Sequence, residues 1–467
     1  MKKTRFLLKT AILSLFVATA ISCSDDDDNG NGNNQDSDPN IVELAADNPE
    51  LSSLVAALER AGLVSALEGD GPFTVFAPTN AAFQAFLTAN GFGGLNDVPV
   101  DVLTQVLLNH VVSGENFSSG LSSGYISSLS TAGPGGANLS LYVDTSAGVA
   151  INGVSDVIIP DVEASNGVVH VVDGVIGLPT IVDHAVANSS FTSLVTALTT
   201  GGNTTFTDLL SGDGPFTVFA PVNAAFTSFN NPNGNDINNI LANHVISGVA
   251  AFSSGLANSY VNTLGTNADG DALSAYINTD SGVSINGSSS VAVADVVATN
   301  GVIHAVDGVI DIPTVVTFAV ADPTFAPLVT ALTEATPGTD FATILSGDGP
   351  FTVFAPTTTA FNNLLTALGL DGVGDIDEAL LTSVLLHHVV SGNIRSGDLT
   401  NPGDTVAASL EGDNITITLP GTDNGVNIAD ITDGAGNTGI GIIAVDVQAG
   451  NGVIHVVNQV LLPDTTN

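Results

Sequence analysis

The chain has 467 residues, 44% of them hydrophobic, enough to bury several cores despite a formal charge of −41, so disorder is excluded for the whole. Four of its six basic residues, Lys2, Lys3, Arg5 and Lys9, crowd the N-terminus, which leaves Arg60 and Arg395 against 47 acids. Two arginines cannot supply the basic stripe that a phosphate backbone demands, so nucleic acid is excluded as a partner, and an anionic membrane surface repels such a chain.

In chain order, residues 1–23 have the layout of a secretory signal: a basic start, the apolar run Ala11 to Ala20, then small residues before Cys23. The run is too short to span a bilayer. Cys23 is the only cysteine, so neither a disulfide framework nor a cysteine metal site can form within the chain. Ala20-Ile21-Ser22-Cys23 resembles a bacterial lipobox, which implies lipid attachment at Cys23; ordinary signal cleavage is the other reading. Residues 24–38, with Ser24-Asp25-Asp26-Asp27-Asp28 and then Asn29 to Asn34, read as a disordered polar tether. A cysteine followed at once by acids resembles the surface-export signal of Bacteroidetes lipoproteins, and implies an outer-membrane, cell-surface location.

The decamer Gly69 to Pro78 returns letter for letter at Gly212 to Pro221 and Gly347 to Pro356, at spacings of 143 and 135 residues. Such spacings fit whole domains rather than solenoid units. Within the first copy, Asn48-Pro49-Glu50 has the layout of a helix start, and Leu51, Leu54, Val55 and Leu58 follow at helical spacing; Asn188 and Asp322-Pro323 begin the same element later. Phe73 to Phe76 predicts a buried strand after a Gly/Pro turn, and Thr79 to Phe83 restarts a helix. The apolar run Val102 to Val112 ends in Asn109-His110, matched by Asn243-His244 and His387-His388. Leu139 to Val143 and Ile415 to Leu419 alternate as half-buried strands do. Each copy closes on Asn-Gly between β-rich runs, at Asn166-Gly167, Asn300-Gly301 and Asn451-Gly452, which predicts a hairpin. Helices first and hairpins last give an α+β class.

These motifs together, Thr-Val-Phe-Ala-Pro, the mid-domain histidine and Asn-Gly-Val-(Val/Ile)-His with a closing Leu-Pro or Ile-Pro, resemble the fasciclin (FAS1) domain. The resemblance implies three tandem domains at 39–179, 180–313 and 314–463, each a β-sandwich or wedge with packed helices. It also implies a secreted or surface-bound adhesion or matrix protein. Two family adhesion motifs are carried over by the resemblance: an Asp-Ile pair, here with Val in place of Ile at Asp161-Val162, Asp295-Val296 and Asp446-Val447, and a mid-domain Tyr-His pair, of which only His110, His244 and His388 persist, with Asn109, Asn243 and His387 in place of Tyr. The aspartates are expected in polar turns, where replacement costs only about 0.5 kcal/mol.

Six histidines, the mid-domain three and His170, His304 and His455, sit at matching places. Zinc wants three or four ligands, and a histidine between valines on a strand reads instead as a hydrogen-bonded core residue, so no metal and no cofactor are expected. Gly120 to Gly124 has the letters of a hydrolase nucleophile elbow without its strand and helix, and Asn267 to Asp271 fills too little of a calcium loop to be more than a turn. No repeated nucleophile, base and orienter set points to an enzyme. The expected function is a surface-anchored adhesion or matrix-interaction lipoprotein whose ligand is an extracellular protein or polysaccharide, with membrane contact only through the N-terminal lipid. The alternative is a capture module for glycan or lipid, which a deep apolar pocket in each copy would favour.

Overall fold

The computed structural model describes residues 38–200, 205–422 and 426–466; Cys23 and the tether lie outside the described residues. Each repeat opens with a helix that the preceding side chain starts. Asn40, Thr180 and Thr314 form capping boxes on α1 (Ile41–Asp47) and on its counterparts Ile181–Ala187 and Val315–Ala321. Sequence periodicity had placed the first helix one element later. There Asn48, Asn188 and Asp322 cap single 3-10 turns that lead into α2 (Ser52–Ala61), Thr192–Thr199 and Ala326–Thr333.

After a short helix α3 (Val64–Leu67) the repeated decamer forms β1 (Phe73–Pro78), and Thr79 caps α4 (Asn80–Ala89). The run to Asn109 is α5 (Val100–Leu108), followed by β2 (Val111–Ser113), β3 (Gly124–Ser127), β4 (Ser140–Asp144), β5 (Ala150–Ile151), β6 (Ser155–Ala164) and β7 (Gly167–Val172). The sheet order is β2-β1-β7-β6-β5-β4-β3, and the other two repeats have the same seven-stranded order. Only β1 and β7, second and third from the β2 edge, run parallel; the remaining pairs are antiparallel. Both faces of β1 are covered, so its apolar run is continuous rather than alternating. Val75 and Ala77 enter the helical core with Leu54, Leu58, Phe83 and Leu103, while Phe76 enters a smaller core with Val112, Leu141, Val143 and Ile151.

The two end motifs recur together because their backbones touch. The carbonyl of Asn166 accepts from Phe73 N, and a Cβ on Gly71, at φ 57°, would stand 2.2 Å from that same oxygen. On Gly167 a Cβ would stand 2.0 Å from the Phe73 carbonyl. The Asn166 side chain completes the knot: it accepts from Ile41 N and donates to the carbonyls of Leu67 and Gly69. Asn300 and Asn451 repeat all three bonds. The hairpin itself turns on Ser165-Asn166 rather than on Asn-Gly, since Gly167 already pairs with Ala164 as the first residue of β7.

Successive repeats meet at two like joints. Tyr125, backed by Tyr142 at 5.2 Å between ring centroids, sets its ring edge against His184, and Asn188 Nδ2 donates to its hydroxyl. At the next joint Tyr260, backed by Tyr276 at 4.9 Å, meets Phe318 edge-on and donates to Asp322 Oδ2. Ser140 Oγ accepts from Val297 N at the first joint, and Ser274 Oγ from Gln448 N at the second. The chain's four tyrosines are all in these joints. That is why Ser140 to Val143 is buried throughout, where alternation predicted a half-buried strand: Leu141 and Val143 fill the repeat's own core and Ser140 faces the next repeat. The Asn267 to Asp271 turn, seen from sequence as a surface feature, carries a further tie: Arg395 Nη1 donates to Asp271 Oδ1 across the second joint. Hydrogen bonds also set where a repeat begins. The carbonyls of Pro39, Pro179 and Pro313 accept from Ser165 N, Thr299 N and Gly450 N, so Pro179 and Pro313 belong with the repeat that follows them.

Candidate functional site

The aspartates of the Asp-Val motif do not lie in polar turns. β6 and β7 lose register between Val157 and Val162, and Asp161 occupies the resulting bulge at φ 59°; Asp295 and Asp446 hold 59° and 60°. The Asp161 carboxylate accepts from Ser118 N at 2.7 Å and from Ser118 Oγ, and these bonds hold its pKa below the usual carboxylate value. Its backbone N–H, turned inward by the bulge, donates to His170 Nδ1 at 3.1 Å, and His170 Nε2 donates to the Asn116 carbonyl at 2.8 Å. Ser253, Asp295 and His304, and again Ser396, Asp446 and His455, repeat the arrangement.

A serine, an aspartate and a buried histidine thus meet three times, a constellation that sequence reasoning missed because the serine stands 43 residues before its aspartate in the first copy. Its wiring is unlike that of a nucleophile site. The base of such a site must face the hydroxyl with a free ring nitrogen, but here the hydroxyl faces the carboxylate and both ring nitrogens are bonded to backbone. The group locks a bulge.

The mid-domain histidines are wired alike. His110 Nδ1 donates to Val106 O at 2.7 Å within α5, and its Nε2 accepts from Ile176 N at 2.9 Å in the closing segment. His244 and His388 make the same pair of bonds. Burial pushes all three down to about 4, against the opposing but smaller pull of the carbonyl bond, so they are neutral and structural. Where the family motif has Tyr before this histidine, Asn109 and Asn243 donate to the carbonyls of Gly177 and Asp311. His387 stands there in the third repeat, near Glu411 and Asp413, with ligand atoms within 4.8 Å of one another. That donor set does not suit a cation. His387 Nε2 accepts from Gly434 N at 3.0 Å, so the ring proton sits on Nδ1, the nitrogen that faces Glu411 and Ser409.

Only one copy of the Asp-Val motif is accessible at its valine. Val296 and Val447 are 1% and 4% exposed beneath the joints, whereas Val162 is half-buried and Glu163 beside it exposed. Behind each mid-domain histidine, between the first helices and β1, lies an apolar cavity of the same lining in all three repeats. Its volume is about 10 Å³ in the first, 30 Å³ in the third and 90 Å³ in the second. The second repeat supplies less bulk to its helical core: Asn230 stands where Leu87 and Leu365 are buried, and Ile237, at the place of Leu103 and Leu381, is 40% exposed. A deep apolar pocket in each copy, which would favour the capture module, is not found among the described residues.

Seven strands around one parallel pair, helices on one face and a histidine-locked bulge, three times over, define a protein of tandem α+β wedge domains. Comparison with known proteins places the chain in the fasciclin domain family, whose model matches residues 49–179, 189–313 and 325–463. Protein sll1483 of Synechocystis is 44% identical over 141 residues, 30% of this chain and 74% of that protein. Transforming growth factor-beta-induced protein ig-h3 of Sus scrofa is 27% identical over 430 residues, 91% of this chain but 58% of its own length. Among solved structures, a FAS1 domain pair of the insect cell adhesion molecule fasciclin I matches 59% of this chain and 98% of its own, at 20% identity and a TM-score of 0.38. None of these relatives bears an enzyme's name.

Proposed function

We propose that the chain is an adhesion or matrix-interaction protein held at the cell surface by lipid on Cys23, with an extracellular protein or polysaccharide as its ligand. One observation carries the reading: in the repeated Ser-Asp-His group and at the mid-domain histidine, both ring nitrogens are spent on backbone and the serine hydroxyl on the aspartate. What the array offers is surface, multiplied along a series of jointed domains, and weak contacts on such an array add through effective concentration. Fasciclin domains occur in cell-adhesion and extracellular-matrix proteins. Purified chain lacking residues 1–23 should bind an immobilised matrix polymer or glycan, and Cys23→Ala should release the protein from the membrane fraction. No binding to any such surface would end the adhesive reading, and retention of Cys23→Ala in membranes would end the lipid anchor.

The cavity of the second repeat favours a second reading, capture of a small apolar molecule. Ile181, Leu194, Phe206, Leu241, Val245 and Ile303 line it, and of its polar wall residues Thr199, Thr207 and His244, Thr199 is bonded to the Val195 carbonyl and both ring nitrogens of His244 are satisfied. At about 90 Å³ it has room for a xenon-sized guest, below the roughly 150 Å³ cavity that accepts benzene. Xenon under pressure should raise the melting temperature, and Ala220→Leu should abolish the rise; no rise at all removes this reading.

A further inference from the structure

We infer that the uncovered front of the first repeat is a docking surface for a β-hairpin that carries paired tyrosines and a serine hydroxyl, the outer edge of another fasciclin-type domain. The two internal joints show what this face takes. In both, the receiving side consists of the fourth residue of the first helix, its C-terminal cap and the strand that follows the bulge: His184, Asn188 and Val296 to Ala298 in one, Phe318, Asp322 and Val447 to Ala449 in the other. The delivering side is the tyrosine pair and the serine hydroxyl that accepts a strand amide.

In the first repeat the same positions are Leu44, Asn48, Val162, Glu163 and Ala164. Ala298 and Ala449 are fully buried by their joints, while Ala164, Val162 and Leu44 are only half-buried and Glu163 is exposed. The apolar strip is present, and among the described residues its cover is missing. A second copy of this chain does not supply that cover. In the third repeat Asp404 and Thr418, hydrogen-bonded to each other at 2.7 Å, replace the tyrosine pair in register, and Thr416 replaces the serine. Head-to-tail contact would press the carboxylate of Asp404, at the tyrosine place, onto Leu44 and Asn48 beside Glu163, so burial of an unpaired charge and a nearby like charge oppose it. The tyrosine pairs of the first two repeats are already covered by their own neighbours. The occupant is therefore the free tyrosine edge of a different protein's domain, and the mismatched ends keep this chain from building the open filament that a heterologous interface otherwise generates.

The triple substitution Asp404→Tyr, Thr416→Ser, Thr418→Tyr, made in the full chain, gives the third repeat the delivering edge. Sedimentation should then show mass rising with concentration to dimers and longer species, while the parent remains monomeric. Adding Val162→Asp should return the triple variant to monomer, which separates docking on this face from general stickiness of exposed tyrosines. Association in solution reports on the face alone, whether or not the chain is adhesive. The inference is overturned if the folded triple variant stays monomeric, or if its association is unaffected by Val162→Asp. It is equally overturned if the parent self-associates through Val162, which makes a second copy the occupant, or if association needs deletion of residues 24–38, which makes the chain's own segment the occupant.

Discussion

At Asp161 an L-residue is held at φ 59° while its carboxylate takes two hydrogen bonds from Ser118. Replacement by alanine strands both donors and keeps the left-handed strain, so Asp161→Ala should cost roughly 2 to 4 kcal/mol of domain stability in urea unfolding. Asn tolerates that backbone and can still accept from Ser118, so Asp161→Asn should cost under about 1 kcal/mol. Equal losses for the two variants would show that the bulge does not need the side chain. Any loss of adhesion in the alanine variant must accordingly be read against its stability. Histidines set a second residue-scale expectation. Burial lowers His110, His184, His244 and His388 to about 4. The unfolded chain, at about 6.5, binds protons first, so the stability these groups contribute is complete above that value and is lost as pH falls towards 4. By pH 5 each costs on the order of 2 kcal/mol, while carboxylates of ordinary pKa still hold their charge. Calorimetry should find the melting temperature falling from pH 7 to pH 5, and a flat or rising profile would contradict neutral, bonded rings.

One asparagine per repeat joins three elements that lie far apart in sequence. Asn300 accepts from the start of the first helix and donates to two carbonyls around the turn before the strand Phe216–Pro221. Removing its side chain leaves three buried groups unpaired, so Asn300→Ala should lower the stability of the second repeat by about 3 kcal/mol or more in thermal unfolding. Asn300→Asp should be as damaging, because the carbonyls need donors; a mild Asp variant would mean that the helix amide alone matters. The identity of the motif was legible in the sequence and its work was not. Ten letters repeated three times mark a fixed structure, but the reason, that a Cβ on Gly71 or Gly167 would stand 2.0 to 2.2 Å from a facing carbonyl oxygen, appears only once the first and last strands are known to run side by side. The first helix was missed for a related reason: seven residues give too little periodicity, and its cap is completed by Asn166, 125 positions away. Likewise Asp161 is identifiable by motif, but its partner Ser118 sits in an unremarkable Ser/Gly stretch.

At the scale of the whole chain, the repeats are joined rather than strung. A cut at residue 181 removes Pro179, whose carbonyl accepts from Thr299, and Thr180, the cap of the next helix. A fragment of residues 178–313 should therefore show a cooperative thermal transition, and one of residues 181–313 should melt lower. Absence of a transition in the longer fragment would mean that the second repeat folds only between its neighbours. Tyrosine placement was readable in principle, since Tyr125 and Tyr142 have counterparts at Tyr260 and Tyr276 and none in the third repeat, but a joint has no periodicity of its own to announce it.

The described chain holds two cations, and both are engaged: Arg60 donates to the carbonyls of Asn96 and Val98 from within α2, and Arg395 holds Asp271. A protease that cuts after basic residues must draw one of these side chains, with its backbone, out of a formed structure before it can act. Even in an unfolded molecule it would leave residues 61–395 in one piece. With no lysine beyond Lys9, reagents that acylate or cross-link side-chain amines find no target on the three domains. The three domains thus resist such a protease by composition as well as by folding.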